Sequence, residues 1–523
     1  MRHFKKTLLA FSVALMAAGC SDDKSSSNPV ELPEPEDVLN LPQGQLDSDW
    51  FKQGQEAVEA AQAQVINNTP GAAKNIILFV GDGMGISTVT AARILAGQQQ
   101  GLKGEEHQLS FEKMPFAGLV KTYNTNQQTP DSAGTMTALV TGVKTKAGVL
   151  SVAEDVARGD CAASLERPLT TAIELAEDLG KSTGIISTAR ITHATPAATY
   201  AKVPERGWES SAPDGCTDIA TQLVELEAGD GIDVVMGGGR RNFLPSDITD
   251  IEGEAGRRED GRNLVDEWKT RYNDGVNNIA YVEDTTGFNA VDSAATDKLL
   301  GLFNSSHMEY EAVREDDTAG EPSLTEMTSK GLELLQKNEK GYFLMVESGR
   351  IDHGHHAGNA HRALTDAVEF AEAIQYAMDN TSAEDTLIVV TADHSHVMTI
   401  AGYPTRGNPI LGKVIGNDSS GEAEISPALA EDGLPYTTLT YANGPGYSAN
   451  DDGSRGDLTS ADTAALDYQQ DALVPMSSES HAGEDVGVWA RGPGAHLVSG
   501  TNEQNYLFHV MARSGGLLEQ SAE

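Results

Sequence analysis

The chain predicts an α/β fold: a doubly wound, mostly parallel sheet flanked by helices, with an inserted, crown-like surface subdomain. Three observations predict it. Apolar runs of strand length recur at Asn75 to Val80, Gly184 to Ser187, Asp233 to Met236, Gly341 to Val346 and Thr386 to Val390, and a continuous run of this length reads as a buried strand. Helical patterns lie between them, and strands alternating with helices argue for parallel pairing. The runs also end in glycine or in polar residues able to do chemistry, as expected at the carboxyl ends of strands, where an open α/β sheet gathers its ligands.

The N-terminus stands apart from this pattern. Lys5 and Lys6 precede the apolar run Leu8 to Ala18, which is too short to span a bilayer as a mature helix and reads as a bacterial secretory signal over residues 1–20. Its end, Leu15-Met16-Ala17-Ala18-Gly19-Cys20, resembles a lipoprotein cleavage box that leaves Cys20 lipidated. Ordinary cleavage near Cys20 is the alternative. Ser21 to Pro42, rich in Ser, Pro, Asp and Glu, suits a disordered tether over 21–45. The catalytic domain is expected over 46–520, on the periplasmic side of a bacterial membrane or free and secreted. No mature membrane span is expected.

Within that domain the first strand leads into Gly81-Asp82-Gly83-Met84-Gly85. Asp131 to Gly142 reads as a loop turning into a helix that Gly142 ends, with Ser132 at the N-terminus, where free N–H groups favour an anion. Thr171 with Glu174 forms a capping box, with Gly180 as the stop, and Ser323 with Glu326 opens a second helix through Leu335. Leu364, Val368, Ala371, Ile374 and Met378 make a core-facing stripe at helical spacing. Asn242 to Tyr272 is charged and irregular, and Tyr403 to Pro475, dense in Gly, Pro, Asn and Asp, reads as the inserted subdomain.

Composition narrows the function. There are 37 basic and 78 acidic residues among 523, a net charge of −41. No basic footprint for nucleic acid exists in such a chain. So large an excess repels itself, and salt screens the repulsion, which predicts a salt-adapted protein. With Cys20 set aside, Cys161 and Cys216 remain, and an exported protein is expected to join them in one disulfide.

Between Glu347 and His361 the chain reads E-S-G-R-I-D-H-G-H-H-A-G-N-A-H, directly after an apolar run. Asp352 and His356, four apart, share one helical face and can share one cation. Carboxylate with imidazole suits zinc, and a carboxylate slightly apart, such as Glu347, suits magnesium. With such clusters present, Ser132 reads as a metal-activated nucleophile. Gly81-x-Gly83-x-Gly85 and Gly237-Gly238-Gly239 lack the spacing of nucleotide loops and read as tight turns. His355 and His361 are expected at the surface, His496 in a structural role, and His107 and His307 carry no signal.

Taken together, G-D-G-M-G at 81–85, D-S-A-G-T-M-T-A at 131–138, H-A-T-P at 193–196, E-S-G-R-I-D-H-G-H-H at 347–356, T-A-D-H-S-H at 391–396 and S-H-A-G-E-D-V at 480–486 resemble the alkaline phosphatase family, closer to its animal-type branch. The resemblance implies two zinc ions and one magnesium. Asp352, His356 and His481 would hold the first zinc, and Asp82, Asp393 and His394 the second. Asp82, Thr195 and Glu347 would hold magnesium. Ser132 would be the nucleophile and Arg206 the phosphate grip, with Asp131, His193, His353 and His396 supporting the metals from behind. A calcium site of the animal branch maps to Glu252, the Phe303 carbonyl, Asn304 and Glu321, with Asn304 where that branch has an acidic ligand. The implied activity is hydrolysis of small phosphate monoesters over a broad range with an alkaline optimum, by a homodimer touching the membrane only through its lipid. A phosphodiesterase or sulfatase of the same superfamily is the alternative within enzymes, and a non-catalytic metal- or phosphate-binding lipoprotein the alternative outside them.

Overall fold

Among the described residues, fifteen strands carry the architecture, and ten of them form one sheet. In chain order they are β1 (Asn75–Gly81), β2 (Phe116–Lys121), β3 (Ser182–Arg190), β4 (Val234–Gly238), β5 (Ile279–Val282), β6 (Lys298–Leu302), β7 (Tyr342–Ser348) and β8 (Thr386–Ala392), then β9 (Ser395–His396), β10 (Met398–Ile400), β11 (Leu439–Gly444), β12 (Ala472–Pro475), β13 (His481–Ala482), β14 (Val486–Arg491) and β15 (Gly500–Glu503). The main sheet runs β15-β2-β14-β8-β1-β7-β3-β4-β6-β5. All its pairings are parallel except those of β14, which runs antiparallel to β8 and β2. This is a computed structural model that describes residues 49–273 and 275–518; the leader, Cys20 and the tether expected over 21–45 lie outside them. Contacts divide the chain after Ala63. The first part's described portion is the helix Asp49–Gln62, and the sheet belongs wholly to the second.

β1, β7 and β8 form the centre and are buried almost throughout, because helices cover a parallel sheet and its strands must be apolar along their whole length. Helix Leu324–Leu335 packs on β3 and against helix Ala360–Asp379, which in turn packs on helix Ile86–Gln99. Both predicted capping boxes form, at Thr171 with Glu174 and at Ser323 with Glu326. Register sets up the site: Val80 pairs with Glu347, and Gly81 with Ala392. The carboxyl ends of three central strands therefore finish level, presenting Asp82, Glu347 and Asp393 side by side.

The five strands predicted from apolar runs all form. β2 and β14 escaped that reading because each alternates or carries a glycine, Gly118 and Gly487, and shows no continuous run. The segment expected as a surface insertion supplies β11 and β12, which join β10 in a three-stranded sheet. The irregular stretch 242–272 ends in helix Leu264–Tyr272. It is pinned by Arg258, whose buried guanidinium reaches both Asp218 oxygens at 2.9 and 3.0 Å. Cys161 and Cys216 are joined in a disulfide, with Cα atoms 5.9 Å apart.

Candidate metal centre

Helix Arg350–His356 starts immediately after β7, so Asp352, His353, His355 and His356 follow directly from the strand that carries Glu347. Asp352 and His356 do share one face, with Oδ1 to Nε2 at 3.4 Å. β13 pairs with β9, placing His481 opposite His396. His481 Nε2 thereby lies 3.1 Å from His356 Nε2 and 3.4 Å from Asp352 Oδ1. Each imidazole donates its other nitrogen to a carbonyl: His356 Nδ1 to Glu479 O at 2.6 Å, and His481 Nδ1 to Pro130 O at 2.8 Å. That leaves two Nε2 lone pairs facing each other beside a carboxylate, an arrangement that fits a cation.

A second group lies against the first, with the rings of His394 and His481 stacked at 3.6 Å. His394 Nε2 is 3.4 Å from Asp82 Oδ1, 3.3 Å from Asp393 Oδ2 and 3.1 Å from Ser132 Oγ. The serine is not its helix's cap. Asp131 is, accepting from Gly134 N at 3.2 Å, which leaves the Ser132 hydroxyl turned toward His394. A third group joins Asp82 to Glu347: Thr195 Oγ1 donates to Asp82 Oδ2 at 3.4 Å, and Ser187 Oγ to Glu347 Oε2. Among the described residues, Asp82 Oδ1 and Glu347 Oε1 are buried without a hydrogen-bond partner. Uncompensated buried carboxylate oxygens are costly, and a divalent ion is what such a set fits.

Electrostatics point the same way. Burial, reinforced by Asp393, Asp352 and Glu347, holds Asp82 well above the usual carboxylate range. Burial pushes Glu347 up to about 7 and raises Asp393 as well. Asp352 goes the other way: burial opposes ionisation, but His356, His396 and His481 around it hold it well below the usual range. Burial also keeps the His394, His353 and His193 imidazoles neutral, the form that ligates metals.

Arg206 closes the site from one side. Its guanidinium donates to Asp131 Oδ2 at 3.1 Å and contacts His193 Nε2 at 3.1 Å. Asp131 is itself fixed by Asn124 at 2.8 Å and Gly148 N at 2.8 Å. His193 lies closer to the site than expected, since its imidazole gathers with Asp82 and Glu347 at ligand spacing. His353 packs with His193 and His307, with Arg190 contacting the His307 ring and Arg350 the His353 ring. His307 carried no signal in the sequence because only the fold brings the end of β6 to this place.

Two further residues were missed. His355, expected at the surface, is fully buried: it bridges Thr88 Oγ1 at 2.9 Å and the Tyr441 hydroxyl at 2.8 Å, and stacks on His396. Its neighbours come from distant segments, which local polarity cannot reveal. His361 is half-buried against the Ala464 carbonyl. Glu479, buried behind His396, sits among serines that gave no hint of it. His396 itself lies between Glu479 and Asp352; burial opposes its charge, but the two carboxylates push it up to about 10.

Three of the calcium positions, Glu252, Asn304 and Glu321, engage internal partners. Glu252 pairs with the buried Arg240 guanidinium, which also reaches Asp250 at 2.9 Å and the Leu302 carbonyl at 2.9 Å. Asn304 donates to Glu321 at 2.8 Å, Asn304 Oδ1 accepts from Ser306 N, and Glu321 Oε2 accepts from Glu309 N. Phe303 packs its ring on Phe288. Burial raises both carboxyls, Glu252 with Asp317 close by and Glu321 to about 8, so a calcium ion here would compete with these internal contacts.

A serine at a helix N-terminus, set against buried carboxylate–imidazole groups at the carboxyl edge of a parallel sheet, defines a metal-dependent hydrolase of α/β architecture. The chain is similar to the tissue-nonspecific alkaline phosphatase isozyme of Rattus norvegicus, 46% identical over 477 residues, covering 88% of this chain and 87% of that one. It is also similar to the alkaline phosphatase of Gadus morhua, 43% identical, covering 90% and 97%. The chain belongs to the alkaline phosphatase family, whose model matches residues 73–517. Among solved structures, the alkaline phosphatase of Thermus thermophilus shares the fold, with a TM-score of 0.61 at 23% identity over 91% of this chain and 96% of that one.

Proposed function

We propose that this chain hydrolyses phosphate monoesters to an alcohol and inorganic phosphate through a covalent phosphoserine at Ser132. The observation that carries the reading is the Ser132 hydroxyl, 3.1 Å from His394 Nε2 at the edge of the buried metal-ligand groups. Asp352, His356 and His481 would hold one zinc, Asp82, Asp393 and His394 a second, and Asp82, Thr195 and Glu347 a magnesium. When bound, these ions supply Lewis acidity, an acidified hydroxyl and neutralised charge on the leaving oxygen.

The protein's own groups do the rest. Asp131 caps the helix, so Ser132 is free to point its Oγ at phosphorus, and the helix N-terminus favours the anion that binds there. Arg206, pre-aimed by Asp131 and His193, presents two N–H groups to two non-bridging phosphate oxygens. Ser132 Oγ attacks in line, the P–O bond to the ester oxygen breaks, the serine's proton ends on the departing alcohol, and the phosphoryl group rests on the serine. Water then attacks the phosphoserine along the same line and returns Ser132 to its starting state. Holding only the phosphoryl group supports a broad substrate range.

Replacing Ser132 with Ala should abolish capture of radiolabelled phosphate while zinc content persists; a surviving burst would remove Ser132 from the role. Comparing rates on a nitrophenyl monoester, diester and sulfate separates this reading from a diesterase or sulfatase, because Arg206 and Ser132 together suit a terminal phosphoryl group. Zinc binding without turnover of any of the three would instead leave a non-catalytic binding protein.

The finer expectations rest on other features. The Cys161–Cys216 disulfide supports export to an oxidising compartment, and the box ending at Cys20 supports a lipid anchor there. No described helix is long and apolar enough to cross a membrane. The exposed Leu473, Val474 and Met476 of and beside β12 support pairing with a second copy, which light scattering of the mature protein would test.

A further inference from the structure

We propose that Glu479 is a positioning residue for the first zinc site, holding two of the surrounding imidazoles and, through one of them, the Asp352 carboxylate. This rests on the two-zinc reading above. Glu479 lies two residues before His481 and is 1% exposed. Each of its acceptors has a separate task. Oε2 takes the Nδ1 hydrogen of His396, and Oε1 takes the Val397 N–H at 2.7 Å. Its backbone carbonyl takes the Nδ1 hydrogen of His356 at 2.6 Å, while its own N–H donates back to the His356 carbonyl at 3.0 Å.

Two consequences follow from this geometry. The carbonyl fixes the His356 tautomer, leaving Nε2 with its lone pair toward His481. The carboxylate fixes His396 so that its Nε2 hydrogen points at Asp352 Oδ1, 2.7 Å away. Asp352 is thereby held in one rotamer, facing His356 and His481. Without Glu479, His396 could turn, and Asp352 would lose the donor that aims it. A carboxylate behind an imidazole is the usual way a metal ligand is oriented; here the imidazole orients a ligating carboxylate.

Glutamine is isosteric but has one oxygen. Facing both the Val397 N–H and His396 Nδ1, its amide satisfies both only when His396 carries its single hydrogen on Nε2, so the neutral ring holds Asp352 by an uncharged hydrogen bond in place of a charge-assisted one. Glu479→Gln should therefore weaken zinc at the first site by about 10–100-fold, read by chelator competition on the full enzyme. The second zinc should be retained, and excess zinc should restore turnover. The metal-free variant should melt where the metal-free parent does, which separates positioning from simple structural loss. Glu479→Asp, which keeps both acceptors, should recover much of the affinity and serves should the glutamine variant fold poorly. Zinc affinity within about twofold of the parent in both variants, or an equal loss at both zinc sites, overturns the proposal. A parent enzyme that binds no zinc would instead overturn the metal reading itself.

Discussion

Removal of the Arg206 guanidinium offers the sharpest quantitative test of the site. The side chain is 23% exposed and already tied at 3.1 Å to both Asp131 and His193, so little conformational freedom remains to be lost when phosphate binds. Two charge-assisted hydrogen bonds contribute roughly 1.5–3 kcal/mol each. Partial solvent access, and water replacing the fork in the variant, reduce that to about 2–4 kcal/mol in total. At 1.4 kcal/mol per decade, Arg206→Ala should lower kcat/KM for a nitrophenyl phosphate about 30- to 1,000-fold. Inhibition by inorganic phosphate should weaken in parallel. Zinc content should stay at the parent value, because no metal-ligand candidate donates to or accepts from this arginine except His193. An unchanged phosphate inhibition constant in a zinc-replete variant would refute the reasoning.

Other predictions are independent of the metals or bear on them differently. Glu177 is buried beside Thr183, and burial pushes it up to about 8 from 4.5. A raised carboxyl pKa means the unfolded chain ionises first, so stability is lost as pH rises from about 4.5 to 8 and stays low above. Glu177→Gln should match the parent near pH 5 and melt higher at pH 9, with a gap on the order of 4 kcal/mol; equal melting temperatures at both pH values would contradict this. Calcium added to, or chelated from, enzyme saturated with zinc and magnesium should leave the melting temperature unmoved, since Arg240 and Asn304 already engage Glu252 and Glu321. A rise with calcium would show that these contacts yield to the ion. With a net charge of −41, stability and kcat/KM for an anionic ester should both rise with moderate NaCl as self-repulsion is screened. Flat profiles from low to molar salt would rule this out.

Much of this site was legible before the fold. Asp82, Glu347 and Asp393 could be placed together because strand ends in a parallel sheet are level, and Val80 does pair with Glu347. Asp352 and His356 could be paired because a helix repeats every 3.6 residues. Assigning His481 to them needed the family resemblance, as it lies 125 residues from His356 and reaches it only when β13 zips onto β9. The capping role of Asp131 was visible as a residue type but not as a choice, since serine and aspartate compete for the same position. His355 misled because a histidine in a polar run reads as surface, yet Thr88 and Tyr441 arrive from both sides to bury it.

By itself, the sequence determined the local periods: which runs are strands, where helices start, and which residue types stand at their ends. Tertiary structure alone decided which of those ends meet. The antiparallel β14 within a parallel sheet, the engagement of Glu252 by Arg240, the His193–His307–His353 cluster and the placing of Glu479 behind His396 all join residues far apart in the chain. Such contacts follow from packing and from satisfying buried polar groups, which depend on the whole fold, whereas periodicity depends only on the backbone's own geometry.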